Sequence, residues 1–433
     1  MTMPPRPARR NQGSVGIVGA GIFGVTAALE LSNIGVAVTL YERRADILNG
    51  TSARNFFRLH RGYHYPRDPG TARQARDGYE SFSRLFAEAL VPATPHYYAI
   101  AAAGSRTTAE QFQRHCDQLG LRARPVRLPT LVPDPAEACF EVDESYYDAA
   151  QLKRLSWERL VKSHVQVELG CTRHARALRQ AHDVVVVTAY GSLNQVLAEL
   201  DCPTMELQYE VCEIPVIHAS RLHRCSVVVL DGPFMSVAPY GTGLHLLYDV
   251  IHSVHTRTVS HASPDLRGYA YQLGGPLVSP PAYTRFASIL SSAQRFVTPL
   301  VDVRHVGSLF AERIVLPGVG ETDARPTEVR WVAPCVISVL SGKVSVAIDA
   351  ARTVAEAIAG KLGLPGSGPS SGHAQSQLRS GGRCSRLVAE SSRRREHGLN
   401  AGIVRIFNTW AQTGTVINAA GQPSTSATTQ PSG

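Results

Sequence analysis

Six consecutive residues, Gly19-Ala20-Gly21-Ile22-Phe23-Gly24, have the types and spacing to hold a pyrophosphate. Gly19 permits a tight turn, and Gly21 lets the backbone approach an anion that a Cβ would block. Gly24 lets a helix pack close against a strand. The free N–H groups and positive dipole end of that helix then face the anion. Glu42, followed by Arg43, closes the next apolar run. Its carboxylate would accept from a ribose diol and repel a 2′-phosphate. A second reactive set lies in the stretch NGTSARNFFRLHRGYHYPRDPG. Ser52, Ala53, Arg54 and Asn55 there offer backbone and side-chain donors. His60, with an ordinary pKa of about 6.5, suits removal of a hydroxyl or ammonium proton. His64 reads as structural. Arg58 and Arg325 can each grip a carboxylate bidentately. Lys343 follows Gly342 at a helix start, where the dipole disfavours a cation unless something recruits it.

These residues need elements to position them. The turn sits between an apolar strand, Val15 to Val18, and an alanine-rich helix reaching Asn33. A second strand, Val36 to Tyr41, follows. That context makes the glycines a dinucleotide-binding βαβ unit and leaves NAD or FAD open. Beyond the His/Arg loop, Ala75, Tyr79, Phe82, Leu85 and Phe86 mark a helix over 71–90. Thr107-x-x-Glu110 reads as a capping box, 121–137 as irregular, and Asp148 as the cap of a helix reaching Ser163. Val184 to Val187 suits the centre of a parallel sheet and leads into the turn of Ala189 and Gly191. From 205 to 257 the pattern becomes antiparallel, with strands at 206–217, 225–230, 234–238 and 244–254. A single strand over 331–340 precedes the Ser341-Gly342-Lys343 turn and a helix over 344–359.

The 433 residues carry a formal charge of +9, but its placement argues against nucleic-acid binding. Residues 1–13 hold three arginines and no acid, and 365–433 hold seven arginines against Glu390 and Glu396, so the body is nearly neutral. Both ends read as disordered, the C-terminal one with a short element at 400–411 and a partner-binding role open to it. No apolar run spans a membrane and no secretory h-region is present. Eight scattered cysteines without a C-x-x-C pair read as reduced thiols, giving a cytoplasmic location and no metal site.

Four separated stretches, in order, resemble the flavin-dependent oxidoreductases of the D-amino-acid-oxidase superfamily: IVGAGIFGVTAALEL…VTLYER, NGTSARNFFRLHRGYHYPRDPGTARQA, YYDAAQLKRLSWERLVKSHVQVELG with DVVVVTAYGSLN, and DARPTEV…VISVLSGKVSVAIDAARTVAEAI. The second is similar to the hydroxyglutarate-oxidase branch. The resemblance implies FAD as cofactor and an α/β fold: a Rossmann-like parallel-sheet domain with an inserted, mainly antiparallel α+β substrate domain. The FAD-binding part is then 14–70, 145–204 and 300–362, and the substrate part 71–144 and 205–299. It implies hydride transfer to flavin N5 from a small amine, amino acid or hydroxy acid. Gly19, Ala20, Gly21, Ile22, Phe23, Gly24, Glu42, Arg43, Ser52, Ala53, Arg54, Asn55, Ala189, Gly191, Gly342 and Lys343 would hold the cofactor, and His60, Lys343 and Arg58 would do the chemistry. Tyr240 and Tyr248 are candidates for the substrate roof, and Cys335 for a covalent flavin anchor. Departures are Phe56-Phe57-Arg58 in place of small residues, His174 in the adenine-side strand, and Ser341-Gly342-Lys343 in place of a glycine-histidine-glycine turn. Two other functions fit the same residues: a redox-neutral flavoenzyme acting on a sugar nucleotide, and a non-catalytic flavin-binding scaffold.

Overall fold

A computed structural model describes residues 13–364, except 92–93, 173–174, 276 and 280. Of the expected basic N-terminus, residues 1–13, all but Gly13 lie outside the described residues, as do His174 and the tail from 365. Six strands form one sheet in the order Glu328–Ala333, Val336–Leu340, Val184–Val187, Ser14–Val18, Ala37–Tyr41 and Gln166–Glu168. All neighbours are parallel except the first pair. Val184–Val187 is central, and its four valines are fully buried. Successive side chains of a strand point to opposite faces. Val184 and Val186 accordingly pack with Val25, Ala28, Ala351 and Val354 from the helices Ile22–Asn33 and Ala347–Leu362. Val185 and Val187 pack with Leu178, Leu193 and Leu197 on the other face. Each such burial stabilises the fold by about 1.5–3 kcal/mol. This two-sided covering is why the strand reads as an unbroken apolar run.

Two glycines of the turn are fixed by packing. Gly19 has φ +103°, and a Cβ there would lie 2.8 Å from the Thr188 carbonyl oxygen. A Cβ on Gly24 would lie 1.9 Å from the Gly19 oxygen, so the helix can approach the strand only with glycine at this position.

The second sheet has nine strands. Its two longest strands, Leu207–Ala219 and Val303–Val315, pair with each other. Val254–Ser260 and then Leu244–Asp249 share the other side of Leu207–Ala219. The order continues through Met235–Tyr240, Ser226–Leu230, His96–Ala101, Ala136–Val142 and Ala123–Pro125. All pairs are antiparallel except Ser226–Leu230 with His96–Ala101. A two-residue ribbon, Arg58–Leu59 against Ser145–Tyr146, lies apart from both sheets.

Several expectations need correction. Residues 303–315, assigned above to the FAD-binding part, belong to the second sheet through their pairing with 207–219. Helix Pro69–Leu85, assigned to the substrate part, packs against the turn Val344–Val346, and Gly78 permits it: a Cβ there would lie 2.6 Å from the Ser345 oxygen. That helix ends at Leu85 rather than 90. The 244–254 stretch is two strands broken by a turn in which Asp249 accepts from the backbone of Ile251 and His252. The apolar 331–340 run is likewise a hairpin around Pro334 and Cys335. The capping box is Thr108 with Gln111, one residue later than expected. Thr107 instead donates its hydroxyl to Asp231 at 2.6 Å. Asp148 does cap its helix, Ala149–Lys162, accepting from Ala150 and Gln151.

Candidate functional site

Four parallel strands end at Val18, Tyr41, Val187 and Leu340, and the turns that follow line one cavity of about 1280 Å³. This is the carboxyl edge of the sheet, where open α/β sheets bind ligands. At the first turn a Cβ on Gly21 would meet only the Ser52 hydroxyl, at 3.4 Å, so this glycine keeps space open rather than packing tight. Ser52 Oγ accepts from the Ile22 N–H at 3.1 Å, as an anion's oxygen would at a helix N-terminus. Glu42 accepts from the Ala20 N–H at 2.8 Å and the Arg44 N–H at 2.9 Å. A carboxylate has about four lone-pair positions, so acceptor capacity for a diol remains. Arg43 lines the cavity beside it.

Among the residues singled out for cofactor binding, Gly19, Gly21, Ile22, Phe23, Glu42, Arg43, Ser52, Arg54, Asn55, Ala189, Gly191, Gly342 and Lys343 line this cavity. Ala20, Gly24 and Ala53 do not; Gly24 serves helix packing and Ala53 lies within the short turn Thr51–Ala53. Arg54 is tied to the Asn49 oxygen at 2.8 Å and to the Leu273 oxygen. Burial, then Arg44, pushes its pKa down to about 10. Asn55 donates to Thr51 O at 2.8 Å and to Tyr147 Oη at 2.7 Å, so its side chain shapes the loop. A Cβ on Gly191 would collide with the Glu312 carboxylate at 1.9 Å.

At the other end of the cavity His60, Arg58 and Lys343 converge. The ribbon brings this about. Arg58 pairs with Tyr146 and Leu59 with Ser145, which sets Glu144 across from His60. Glu144 Oε2 lies 3.7 Å from Arg58 Nε, and Oε1 lies 3.7 Å from His60 Nδ1. The carboxylate accepts from the Arg61 N–H at 2.9 Å and from Tyr98 Oη at 2.8 Å. Burial raises its pKa, and Arg58 and these two donors counter that.

Arg58 Nε and Nη2, His60 Nδ1, His64 Nδ1 and Tyr65 Oη are buried without a hydrogen-bond partner among the described residues. Buried polar atoms ordinarily have partners. Their residues line the cavity, but these particular atoms are enclosed by the protein rather than open to it. Lys343 Nζ rests over the Tyr65 ring, 4.8 Å from its centre. Burial, and then Arg325, pushes the Lys343 pKa down to about 7. Burial also lowers the pKa values of His60 and His64 well below the ordinary value, with Lys343 and Arg58 adding to the effect. His60 is therefore a neutral imidazole rather than a group poised at its usual pKa. His64 joins the cluster instead of serving only the loop.

Other expected residues take different places. Arg325 lines the cavity too, but it pairs with Asp323 and donates to Ala324 O, so its charge is committed. Tyr240 stacks on Phe57, 5.8 Å between ring centres, and does not line the cavity. Tyr248 does line it and accepts from Arg313. Cys335 stands at the opposite end of Val336–Leu340 from the cavity, about 16 Å away at 3.3 Å per residue, which excludes it as a flavin anchor.

Glu144, Asp231 and Glu210 were not singled out by their sequence context. Asp231 is held by Arg67 at the cavity rim. Glu210 takes Arg257 and Arg313. Glu210 did leave a signal, as an acid within an otherwise buried strand. Glu144 left none, because its setting arises only when 58–59 meets 145–146.

Comparison with known proteins places these features. The family model described as FAD dependent oxidoreductase (DAO) matches residues 14–324. A protein named FAD-dependent monooxygenase FPY4, from Fusarium mangiferae, is 38% identical over 90 residues. That match covers 21% of this chain and 24% of the relative, so the chain spans about a quarter of its length. Among solved structures, L-alpha-glycerophosphate oxidase from Mycoplasma pneumoniae with FAD bound superposes with a TM-score of 0.61 at 14% identity, covering 79% of this chain and 93% of that one. Glycine oxidase from Geobacillus kaustophilus gives 0.58 at 14%, covering 79% and 94%. These two likenesses show the fold.

Proposed function

The chain belongs to the FAD dependent oxidoreductase (DAO) family, and from that premise we propose that it oxidises a C–H bond of a small amine, amino acid or hydroxy acid. The observation that carries this reading is the single cavity joining the glycine turn and Glu42 to the His60, Arg58 and Lys343 cluster. FAD fits the turn end. Gly21 leaves its Cβ space open, the Ile22 N–H at the helix N-terminus donates to Ser52 Oγ, an oxygen whose place an anion's oxygen could take, and Glu42 retains acceptor capacity. Gly19, Gly21, Ile22, Phe23, Ser52 and Ala189 would hold the pyrophosphate half and Glu42 with Arg43 the ribose. Gly342 and Lys343 would face the ring. The six-stranded sheet would serve as the cofactor layer and the nine-stranded sheet as the substrate layer.

Bound FAD supplies the acceptor for a hydride from the substrate. The remaining work falls to this chain's side chains. Arg58, a permanent cation whose residue lines the cavity, would orient a carboxylate. His60, neutral because of its burial, would accept the hydroxyl or amine proton. Lys343, when protonated, would stabilise negative charge developing nearby.

Purified protein reconstituted with FAD should lose its oxidised flavin absorption when mixed anaerobically with a substrate of one of these classes. His60→Ala should slow that loss while leaving FAD bound. Equal rates would make His60 structural, and flavin left unreduced by every donor would defeat the proposal. The fungal relative's name suggests a monooxygenase as the competing reading. Flavin reduced by a nicotinamide but by none of these donors would favour it.

A further inference from the structure

Glu144 lies in none of the motifs, yet it is the group around which the reactive end of the cavity is assembled. Its side chain is 0% exposed, against 4% for Arg58 and 14% for His60. Both carboxylate oxygens accept hydrogen bonds, Oε1 from the Arg61 N–H and Oε2 from Tyr98 Oη. Neither oxygen needs a proton to satisfy those partners, so the arrangement is that of a carboxylate. The same two oxygens face His60 Nδ1 and Arg58 Nε, each at 3.7 Å. At that distance the contact is electrostatic orientation rather than a hydrogen bond.

We propose that Glu144 is a positioning residue: its carboxylate fixes the proton of His60 on Nδ1, leaving the Nε2 lone pair for the cavity, and holds the Arg58 guanidinium beside it. The assignment rests on the oxidoreductase reading above. In a neutral imidazole one nitrogen donates and the other accepts, and the hydrogen-bonding and charge environment selects which. An anion 3.7 Å from Nδ1 favours the N–H there and disfavours a lone pair. Only that tautomer can take a substrate proton on Nε2. Glu144 also balances Arg58, which would otherwise be a buried cation facing Lys343. Its own place is set by the ribbon register and the Tyr98 hydroxyl, so it stays fixed while substrate and product exchange.

The test uses the full chain reconstituted with FAD. Histidine-selective ¹⁵N spectra report which ring nitrogen carries the proton, and the His60 signals are identified by their loss in His60→Ala. The unaltered protein should show His60 protonated on Nδ1. Glu144→Gln, which keeps the volume and removes the charge, should give a mixture of tautomers. It should also lower the rate of anaerobic flavin reduction at saturating substrate about tenfold or more. Glu144→Asp, which keeps the charge, should restore the Nδ1 tautomer and part of the rate. An unchanged tautomer and rate in Glu144→Gln, with only a lower melting temperature, would overturn the assignment and leave the oxidoreductase reading standing. Nε2-protonated His60 in the unaltered protein would overturn it outright. Should Glu144→Gln fail to fold, the Asp variant and the unaltered spectrum still decide. Flavin in the unaltered protein that no donor reduces would defeat the oxidoreductase reading itself, and with it any role of Glu144 in turnover.

Discussion

The glycine turn permits a paired perturbation whose two halves should fail in different ways. In Gly21→Ala the new Cβ meets only Ser52 Oγ, at 3.4 Å, and the backbone at φ −68° and ψ −179° accepts any residue. Stability should change by less than about 1 kcal/mol, because the lost N-cap preference for glycine opposes the reduced freedom of the unfolded chain. The methyl group would instead occupy the open space in front of the helix N-terminus. Loss of one charge-assisted hydrogen bond costs about 1.5–3 kcal/mol, so the FAD dissociation constant should rise by roughly 10- to 100-fold. In Gly24→Ala the Cβ would stand 1.9 Å from the Gly19 oxygen, short of ordinary contact by more than an ångström. Helix Ile22–Asn33 must then move off the sheet, at a cost of about 3 kcal/mol. The melting temperature of the apoprotein should fall by about 4 °C. Flavin fluorescence quenching measures the first effect and thermal unfolding without FAD the second. Gly21→Ala with unaltered FAD affinity would show that the pyrophosphate does not lie against this turn. Gly24→Ala with an unaltered melting temperature would refute the packing argument.

Two further outcomes follow from the reactive end. Lys343 has a folded pKa near 7, below its ordinary value, so it is charged below that pH and neutral above it. Affinity for a non-reactive carboxylate inhibitor should therefore fall as pH rises through about 7. The size should be about tenfold or more, since a unit charge at ~4 Å is worth about 1–4 kcal/mol between bulk water and a partly screened site. Titration of the flavin spectrum at pH 6 and 8 measures it, and a pH-independent affinity, or one equally pH-dependent in Lys343→Met, would be the contrary result. Arg58→Lys keeps a cation for Glu144 but loses the planar fork, so KM for a carboxylate substrate should rise about 10- to 100-fold with kcat changed much less. An unchanged KM would place the substrate carboxylate elsewhere.

The βαβ turn that lines the cavity was legible because its determinants are local. The glycine spacing, the alternation of strand and helix and the acid at Glu42 all lie within one βαβ unit, and each constraint acts between neighbours in the chain. Helix caps read equally well where the signal was short-range, as at Asp148, and missed by one residue where two threonines stood side by side, at Thr107 and Thr108. Strand breaks were harder. The apolar run 244–254 looks continuous because its turn carries Val250 and Ile251, which are apolar though exposed, and 331–340 because the residues flanking Pro334 are buried or half-buried; periodicity cannot show a reversal inside such a run.

Sequence by itself determined the glycine turn, the central parallel strand and the residue types that line the cavity. It placed His60, Arg58 and Lys343 near one another only through the family resemblance, since 283 residues separate His60 from Lys343. The tertiary structure decided what those side chains are. Burial removes the solvation that sets ordinary pKa values, so His60 becomes a neutral imidazole and Lys343 an amine that titrates near pH 7. It also decided the neighbours: Arg325 is taken by Asp323, while a two-residue ribbon sets Glu144 opposite Arg58 and His60. Such a pairing depends on two segments more than 80 residues apart meeting in register, and no pattern within either segment encodes it.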